Sequence, residues 1–468
     1  MTIWMEKSLA EVASALRDRN VAAPALWEEA GDNHRRIGEK LQAYSYWDED
    51  QSASQARAAD SAFNAGFDLG PLQGIPTSLK DLFALKGYPT FAGSPRRLPP
   101  DWEIDGPIMN VLRRQAPIIS GKTQMVEFAF GGIGINHHWQ TPRNPWDAAQ
   151  HRIPGGSSAG AGVSLMEGSA LLAFGTDTAG SVRIPASLTG CVGLKITHGR
   201  WPLKGIVPLS PSLDTPGLLA RTAADLTFAF YALDPRHRDR PVPSTLPMAE
   251  LAGLRLGMVV DPFWRDLSPG IGEAAEAALR ELEAKGARRL ELPMPELEPA
   301  AAIFRAGGLA GPELFSFLRR ELPDWLPTLD PIVRQRVMSV ENLPAYEYLD
   351  RVAGLNRIAA EADLRLRAID AIVSPTVALT PPVVADIDGT DAYAPANLMT
   401  LRNTWPANFL RLCAVTLPCG LDAAGMPVGL QIMMRAGEEE RLLAVAIAIE
   451  RVLGISTQRL GKPPLIKS

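Results

Sequence analysis

Three short segments of this 468-residue chain hold polar side chains in settings that could do chemistry: Gly74-Ile-Pro-Thr-Ser-Leu-Lys80-Asp81, Ile153-Pro-Gly-Gly-Ser157-Ser158-Ala-Gly160 and Gly175-Thr-Asp177-Thr178-Ala179-Gly180-Ser181. Serine hydroxyls among small residues suit nucleophilic catalysis, because a substrate can approach the backbone closely, but a serine needs a base to take its proton. Gly156-Ser-Ser158-Ala-Gly160 formally matches the G-x-S-x-G nucleophile elbow, with Ser158 at its centre. That elbow closes a buried strand, whereas the preceding Ala-Ala-Gln-His-Arg-Ile-Pro-Gly is polar and proline-bearing. The histidines beyond it, His198 and His237, lie in polar or charged stretches and make poor bases.

Other chemistries find less support. There is no HExxH, no Cys/His ligand spacing and no telling carboxylate pair, so neither a metal nor a cofactor is expected. Ala116-Pro-Ile-Ile-Ser-Gly-Lys-Thr123 has alanine where a phosphate-binding loop needs its first glycine, and Gly131-Gly-Ile-Gly-Ile-Asn136 lacks the dinucleotide-binding register. A lysine held neutral by burial can deprotonate a serine. Lys80, at the end of an apolar stretch and flanked by turn residues, is the candidate.

The elements that must position these residues follow from the rest of the chain. Apolar residues make up 46% and charged residues 21%, which excludes a disordered or fibrous chain. Glycine and proline number 40 each, an excess over average usage concentrated between residues 121 and 217, where loops build a site. Residues 6 to 66 read as helices from apolar positions three and four apart. From Pro71, short apolar runs broken by glycine and proline alternate with helical stretches, the pattern of an α/β layered sheet. A polar, proline-rich stretch at 234 to 248 precedes a strand at 254 to 260, a largely helical region at 300 to 367, strands at 370 to 377 and 414 to 420, and an amphipathic helix at 438 to 454. The late strands are expected to complete the early sheet, making the proline-rich stretch a crossover.

The net charge of −5, with both signs interspersed, gives no footprint for nucleic acid. Cys191, Cys413 and Cys419 have no paired framework and read as packing residues in a reducing compartment. No run of 18 apolar residues occurs and the N-terminal residues are charged, so the expected location is cytoplasmic, away from any membrane.

Together the three segments resemble the amidase signature family. The likeness continues through Gly193-Leu-Lys195, Leu213-Asp-Thr-Pro-Gly217, Thr416-Leu-Pro-Cys-Gly420 and Pro427-Val-Gly-Leu-Gln431, and is weakest over about 235 to 365. It implies an α/β/α layered domain with a central mixed sheet covered by helices, spanning 1–468. Within it, 1–66 forms a helical layer, 67–233 the signature core, 234–400 a crossover and helical pocket region, and 401–468 a return to the sheet. It also implies a catalytic Ser–Ser–Lys triad: Ser181 as nucleophile, Ser157 beside a cis peptide as proton relay, and Lys80 as base. Backbone N–H groups of Thr178, Ala179, Gly180 and Ser181 would form the oxyanion hole. Ala179 stands where the family usually has glycine, so this loop must keep Ala179 at negative φ. Asp177 and Arg183 are expected to brace the loop as an ion pair, and Ser158 to support it by hydrogen bonding.

The resemblance implies cleavage of carboxylic amides through an acyl-enzyme, and the same route extends to esters and aryl carbamates (urethanes), whose leaving groups the relay can also protonate. An apolar inventory between 124 and 139, 300 and 350, and 404 and 409 suggests a hydrophobic or aryl substrate. It includes Phe130, Trp139, Phe304, Phe315 and Phe409, with Met125, Phe128, Gly131, Gly132 and Trp405 as the candidate pocket. The partner expected is a small-molecule amide or carbamate, with the chain acting as a monomer or homodimer. The alternative is the catalytic subunit of a tRNA-dependent amidotransferase. That relative is expected to carry an acidic residue just before the segment matching Trp405-Pro-Ala-Asn408, where this chain has Leu401-Arg402-Asn403.

Overall fold

A computed structural model describes residues 2–238 and 240–467. Its centre is one eleven-stranded sheet with the order β1-β3-β2-β4-β6-β5-β10-β11-β9-β7-β8. In chain order the strands are β1 (Tyr44–Trp47), β2 (Pro76–Lys80), β3 (Ile118–Thr123), β4 (Leu172–Asp177), β5 (Val192–Lys195), β6 (Thr215–Ala220), β7 (Arg255–Met258), β8 (Arg288–Glu291), β9 (Ala371–Pro375), β10 (Cys413–Leu421) and β11 (Pro427–Met434). β2 runs parallel to both β3 and β4, and β7 parallel to β8 and β9; the other pairs are antiparallel. The fold is therefore an α/β architecture on a mixed sheet. The late strands join the early ones directly, β10 lying against β5 with Thr416 opposite Gly193.

Strands β2 to β6 are buried along their whole length, which is why they read as short apolar runs without alternation. Helices cover them. Leu9–Arg17 starts at a capping box in which Ser8 and Glu11 satisfy each other's backbone N–H. Glu439–Leu453 begins with Glu439 and Glu440, where the helix dipole favours acids, and ends at Gly454.

One departure from the sequence reading falls in the N-terminal layer, which is not all helix. Tyr44-Ser-Tyr-Trp47 is an edge strand, antiparallel to β3. Its aromatic residues suit a pleated, half-buried surface, and Trp47 stacks on His34 and on Trp27 from the preceding helix. The cysteines are buried and unpaired, and burial pushes all three thiols up, Cys191 and Cys419 to about 12. No helix among the described residues is long and apolar enough to cross a membrane.

Candidate active site

Because β2 and β4 are parallel neighbours, their carboxyl ends open on the same edge of the sheet, the usual place for a site in such an architecture. Leu79 pairs with Phe174, so Lys80 reaches that edge alongside Gly175 and Thr176. Lys80 is fully buried, and its Nζ donates to Ser157 Oγ at 2.7 Å and to Thr176 Oγ1 at 2.8 Å. Burial lowers its pKa to about 7, against the opposing pull of Asp214 and Asp177. An amine balanced near neutrality, within reach of a hydroxyl, can take and return a proton.

Ser157 follows a cis Gly156–Ser157 peptide and precedes the helix Ala159–Glu167, which leads into β4. Its carbonyl accepts from Val126 N at 3.1 Å, and the next residue, Ser158, donates its N–H to the Ser181 carbonyl at 3.3 Å. These contacts set the serine loop against the loop that leaves β4. Among the described residues, Ser158 Oγ makes only long contacts, 3.4 Å, to the backbone of Thr176. Ser181 Oγ has no hydrogen-bond partner among the described residues and lies on the wall of a cavity with Thr178 and Ala179.

The loop between Asp177 and Arg183 is held from beneath. Arg183, fully buried, donates to both carboxylate oxygens of Asp177 at 2.9 and 3.0 Å, and also to Asn408 Oδ1, Gln431 Oε1 and the Thr404 carbonyl. Burial alone would raise Asp177, but the Arg183 charge and hydrogen bonds overcome it and hold the carboxyl at about 2. Asp177 Oδ1 also accepts the Gly180 N–H at 2.8 Å. The Gly180 N–H, one of the four expected oxyanion donors, is therefore engaged by the brace; the other three are those of Thr178, Ala179 and Ser181. Gly180 has a different task. Its φ is +133°, and a Cβ there would meet Thr404 Oγ1 at 2.1 Å, so only glycine fits. Ala179 is absent from the residues at positive φ, and its carbonyl accepts from Thr404 Oγ1 at 2.7 Å. Thr178 Oγ1 donates to Asp214 Oδ1 at 2.5 Å; burial raises Asp214 to about 6 against that bond.

The cavity, about 380 Å³, is mostly apolar, with Phe130, Phe304, Leu309, Leu401 and Phe409 among its walls. Of the expected pocket residues Gly131 lines it. Gly132 stands behind the wall, its N–H donating to Asn397 Oδ1 at 2.8 Å. Met125 and Phe128 are buried in the core, and Trp405 lies beneath Phe304, ring centroids 5.0 Å apart and nearly parallel. These three were legible as apolar, but large apolar residues in layered proteins back a wall as readily as they face it.

The sequence did not single out the polar side of the cavity: Arg336 on the helix Pro331–Met338, and Tyr393 and Asn397 on the helix Thr390–Leu401. Arg336 donates Nη1 to the Phe130 carbonyl at 2.5 Å and lies 3.9 Å over the Phe130 ring. Among the described residues it has no carboxylate partner, and desolvation lowers its pKa. The Tyr393 hydroxyl and Asn397 Nδ2 likewise donate to nothing within the described chain. No Asp or Glu among the described residues lines the cavity.

A fully buried lysine thus lies against one serine, with a second serine on the wall of a mostly apolar cavity. The chain belongs to the amidase family, whose model matches residues 26–443. It is 50% identical over 458 residues, 98% of each chain, to a 2-amino-5-chloromuconic acid deaminase of Comamonas testosteroni. It is 31% identical over 492 aligned positions to a glutamyl-tRNA(Gln) amidotransferase component of Salinispora tropica, covering 97% of this chain and 99% of that one. A crystal structure of an amidase superposes with a TM-score of 0.85 at 30% identity, covering 96% of this chain and 100% of the other.

Proposed function

We propose that this protein is a serine amidohydrolase in which Lys80, through Ser157, activates Ser181, and that its substrates carry a carboxylate recognised by Arg336. The observation that carries the catalytic half is the buried Lys80–Ser157 contact at 2.7 Å. With Nζ neutral, the hydroxyl of Ser157 donates to the amine lone pair while its oxygen accepts the Ser181 proton. Ser181 Oγ then attacks the carbonyl carbon. The resulting oxyanion is met by N–H groups of Thr178, Ala179 and Ser181, each such donor contributing about 3–4 kcal/mol in related chemistry. Collapse expels the amine, which takes the proton back from Lys80 through Ser157, and water repeats the sequence on the acyl-enzyme. Nothing in these steps requires nitrogen in the leaving group, so activated esters and aryl carbamates are expected to react as well.

The substrate half rests on the unpaired donors. Arg336, Tyr393 and Asn397 offer a cation and two neutral donors at one side of an apolar cavity with no acid among its described lining residues, a match for an organic carboxylate. That lining disfavours the amidotransferase alternative, whose substrate glutamine carries an ammonium group. Leu401 lines the cavity, while Asn403 is buried and donates to the carbonyls of Phe263 and Pro375. A second reading is deamination of an amino-substituted unsaturated diacid, as the name of the Comamonas relative states for that enzyme. The same carboxylate site would serve it.

Intact-mass analysis with a fluorophosphonate should show one adduct that Ser181→Ala abolishes; labelling that persists sinks the nucleophile assignment. A panel of amides, esters, carbamates and amino-dienoic acids, each with and without a carboxylate, sorts the substrate readings. Arg336→Met should raise KM for the acids roughly 100-fold and leave neutral analogues within about threefold, the value of a charge-assisted pair.

A further inference from the structure

His137 sits outside the site described above, on the glycine-containing loop of residues 131–138, yet it is bonded to the residues that lead into both helices carrying the polar donors. Its Nδ1 is hydrogen-bonded to Asp330 Oδ2 and its Nε2 to Asp388 Oδ1, the latter at 2.8 Å. Asp330 is the N-cap of the helix Pro331–Met338, accepting from Ile332 N at 2.9 Å, and that helix bears Arg336. Asp388 lies two residues before the helix Thr390–Leu401, which bears Tyr393 and Asn397. The loop itself supplies Gly131 to the cavity and, through Gly132 N, the bond that orients Asn397. One imidazole thus joins the three segments that form the polar wall.

The geometry also fixes the charge of that ring. Ionised carboxylates only accept hydrogen bonds, so a histidine bonded to one at each nitrogen must donate from both, as imidazolium. The bond to Asp330, opposed by desolvation and aided by Asp388, raises His137 to about 9. The other charged groups packed around it are Glu127, which accepts the Asp330 N–H at 2.8 Å, and His138, whose Nε2 lies 3.2 Å from Glu127 Oε1; Tyr393 senses the charges of both Asp330 and Arg336. With a raised pKa the clamp is complete at neutral pH and is lost as pH rises through about 9.

We propose that His137 is a positioning residue for substrate recognition: a doubly hydrogen-bonded imidazolium that holds Arg336, Tyr393 and Asn397 in register for the substrate carboxylate. This rests on the carboxylate reading of the cavity. The ring touches neither substrate nor the reacting serines, so its loss should act on binding and leave the chemical step alone.

The test is KM and kcat between about pH 7.5 and 10 for one amide bearing a carboxylate and its analogue with a methyl group in that place. In the wild type, KM for the acid should rise roughly tenfold across about pH 9 at constant kcat, while KM for the neutral analogue stays flat. His137→Gln should show the raised KM already at about pH 7.5 with no further step near 9. Asp388→Asn, which removes only the exposed arm, should move the step to lower pH, and it keeps the proposal testable if His137→Gln does not fold. Discrimination that Arg336→Met abolishes but His137→Gln and Asp388→Asn leave unchanged, whatever their Tm, overturns the clamp and preserves the carboxylate reading. A wild type that does not distinguish the acid from its neutral analogue overturns both.

Discussion

Arg183, fully buried beneath the loop that bears Ser181, and Arg336, part-buried on the wall of the cavity that Ser181 also lines, could hardly differ more in their surroundings. Arg183 donates to Asp177 twice and to Asn408, Gln431 and Thr404 as well, joining the loop after β4 to segments more than 200 residues later. Among the described residues, Arg336 has one carbonyl and an aromatic face. A buried cation with every donor satisfied is part of the scaffold; one whose donors face an apolar cavity awaits a ligand. The loop after β4 is thus braced by fully used donors beneath it, whereas the polar side of the cavity wall leaves donors unused.

The comparison can be broken most forcefully at Lys80. Lys80→Ala should lower kcat by several powers of ten, roughly 10³ or more, with the fold kept, since in the proposed relay the amine supplies proton transfer at both halves of the reaction. In the wild type, burial favours the neutral amine, so the active base form is present above about 7 and kcat/KM should fall tenfold per pH unit below it. The variant's residual rate should lose that limb; a limb that survives would assign it to another group.

Arg183→Met probes the scaffold side. It leaves Asp177 buried without its counter-charge, so the loss should be about 3–5 kcal/mol of stability, read by denaturant unfolding, together with activity. Asp177, held at about 2 by this pairing, contributes stability that is present above its unfolded value and is lost as pH falls toward 2. The variant's stability should therefore depend less on acid over that range. Near-normal stability would mean that Asn408 and Gly180 suffice to hold Asp177.

The two regions also differ in how far the sequence revealed them. Lys80, Ser157 and Ser181 lie in contiguous segments at strand ends, where short apolar runs and glycines mark both the strand and the turn. The cavity wall draws on positions 131, 304, 336, 393 and 397, which no local pattern joins. In Val333-Arg-Gln-Arg336-Val-Met, an inward arginine is indistinguishable from its neighbour Arg334, which is exposed. Trp405 failed for the converse reason: its size marked it as important, but it supports Phe304 from behind. Gly180 shows a finer limit. The sequence marks Thr178 to Ser181 as an expected oxyanion loop, but only the Asp177 carboxylate reveals that the Gly180 N–H is already taken.

The smallest effect expected comes from the adjacent serines, where the proposal assigns a chemical role to one and a supporting role to the other within a single turn. Ser157 Oγ is 2.7 Å from Lys80, whereas Ser158 Oγ has only the two 3.4 Å contacts with Thr176 backbone. Hydrogen bonds of that length are weak, and the Ser158 N–H that meets Ser181 is a backbone group that mutation does not remove. Ser158→Ala should therefore cost less than about 1 kcal/mol, a change in kcat of under about fivefold, with the pH limb near 7 intact. Ser157→Ala should approach the Lys80→Ala rate, because in the proposed relay the Ser157 hydroxyl is the path from the amine to Ser181. If steady-state kinetics ranked the two the other way, the proton would have to travel through Ser158, and the contact between Lys80 and Ser157 would be a scaffold bond like those of Arg183.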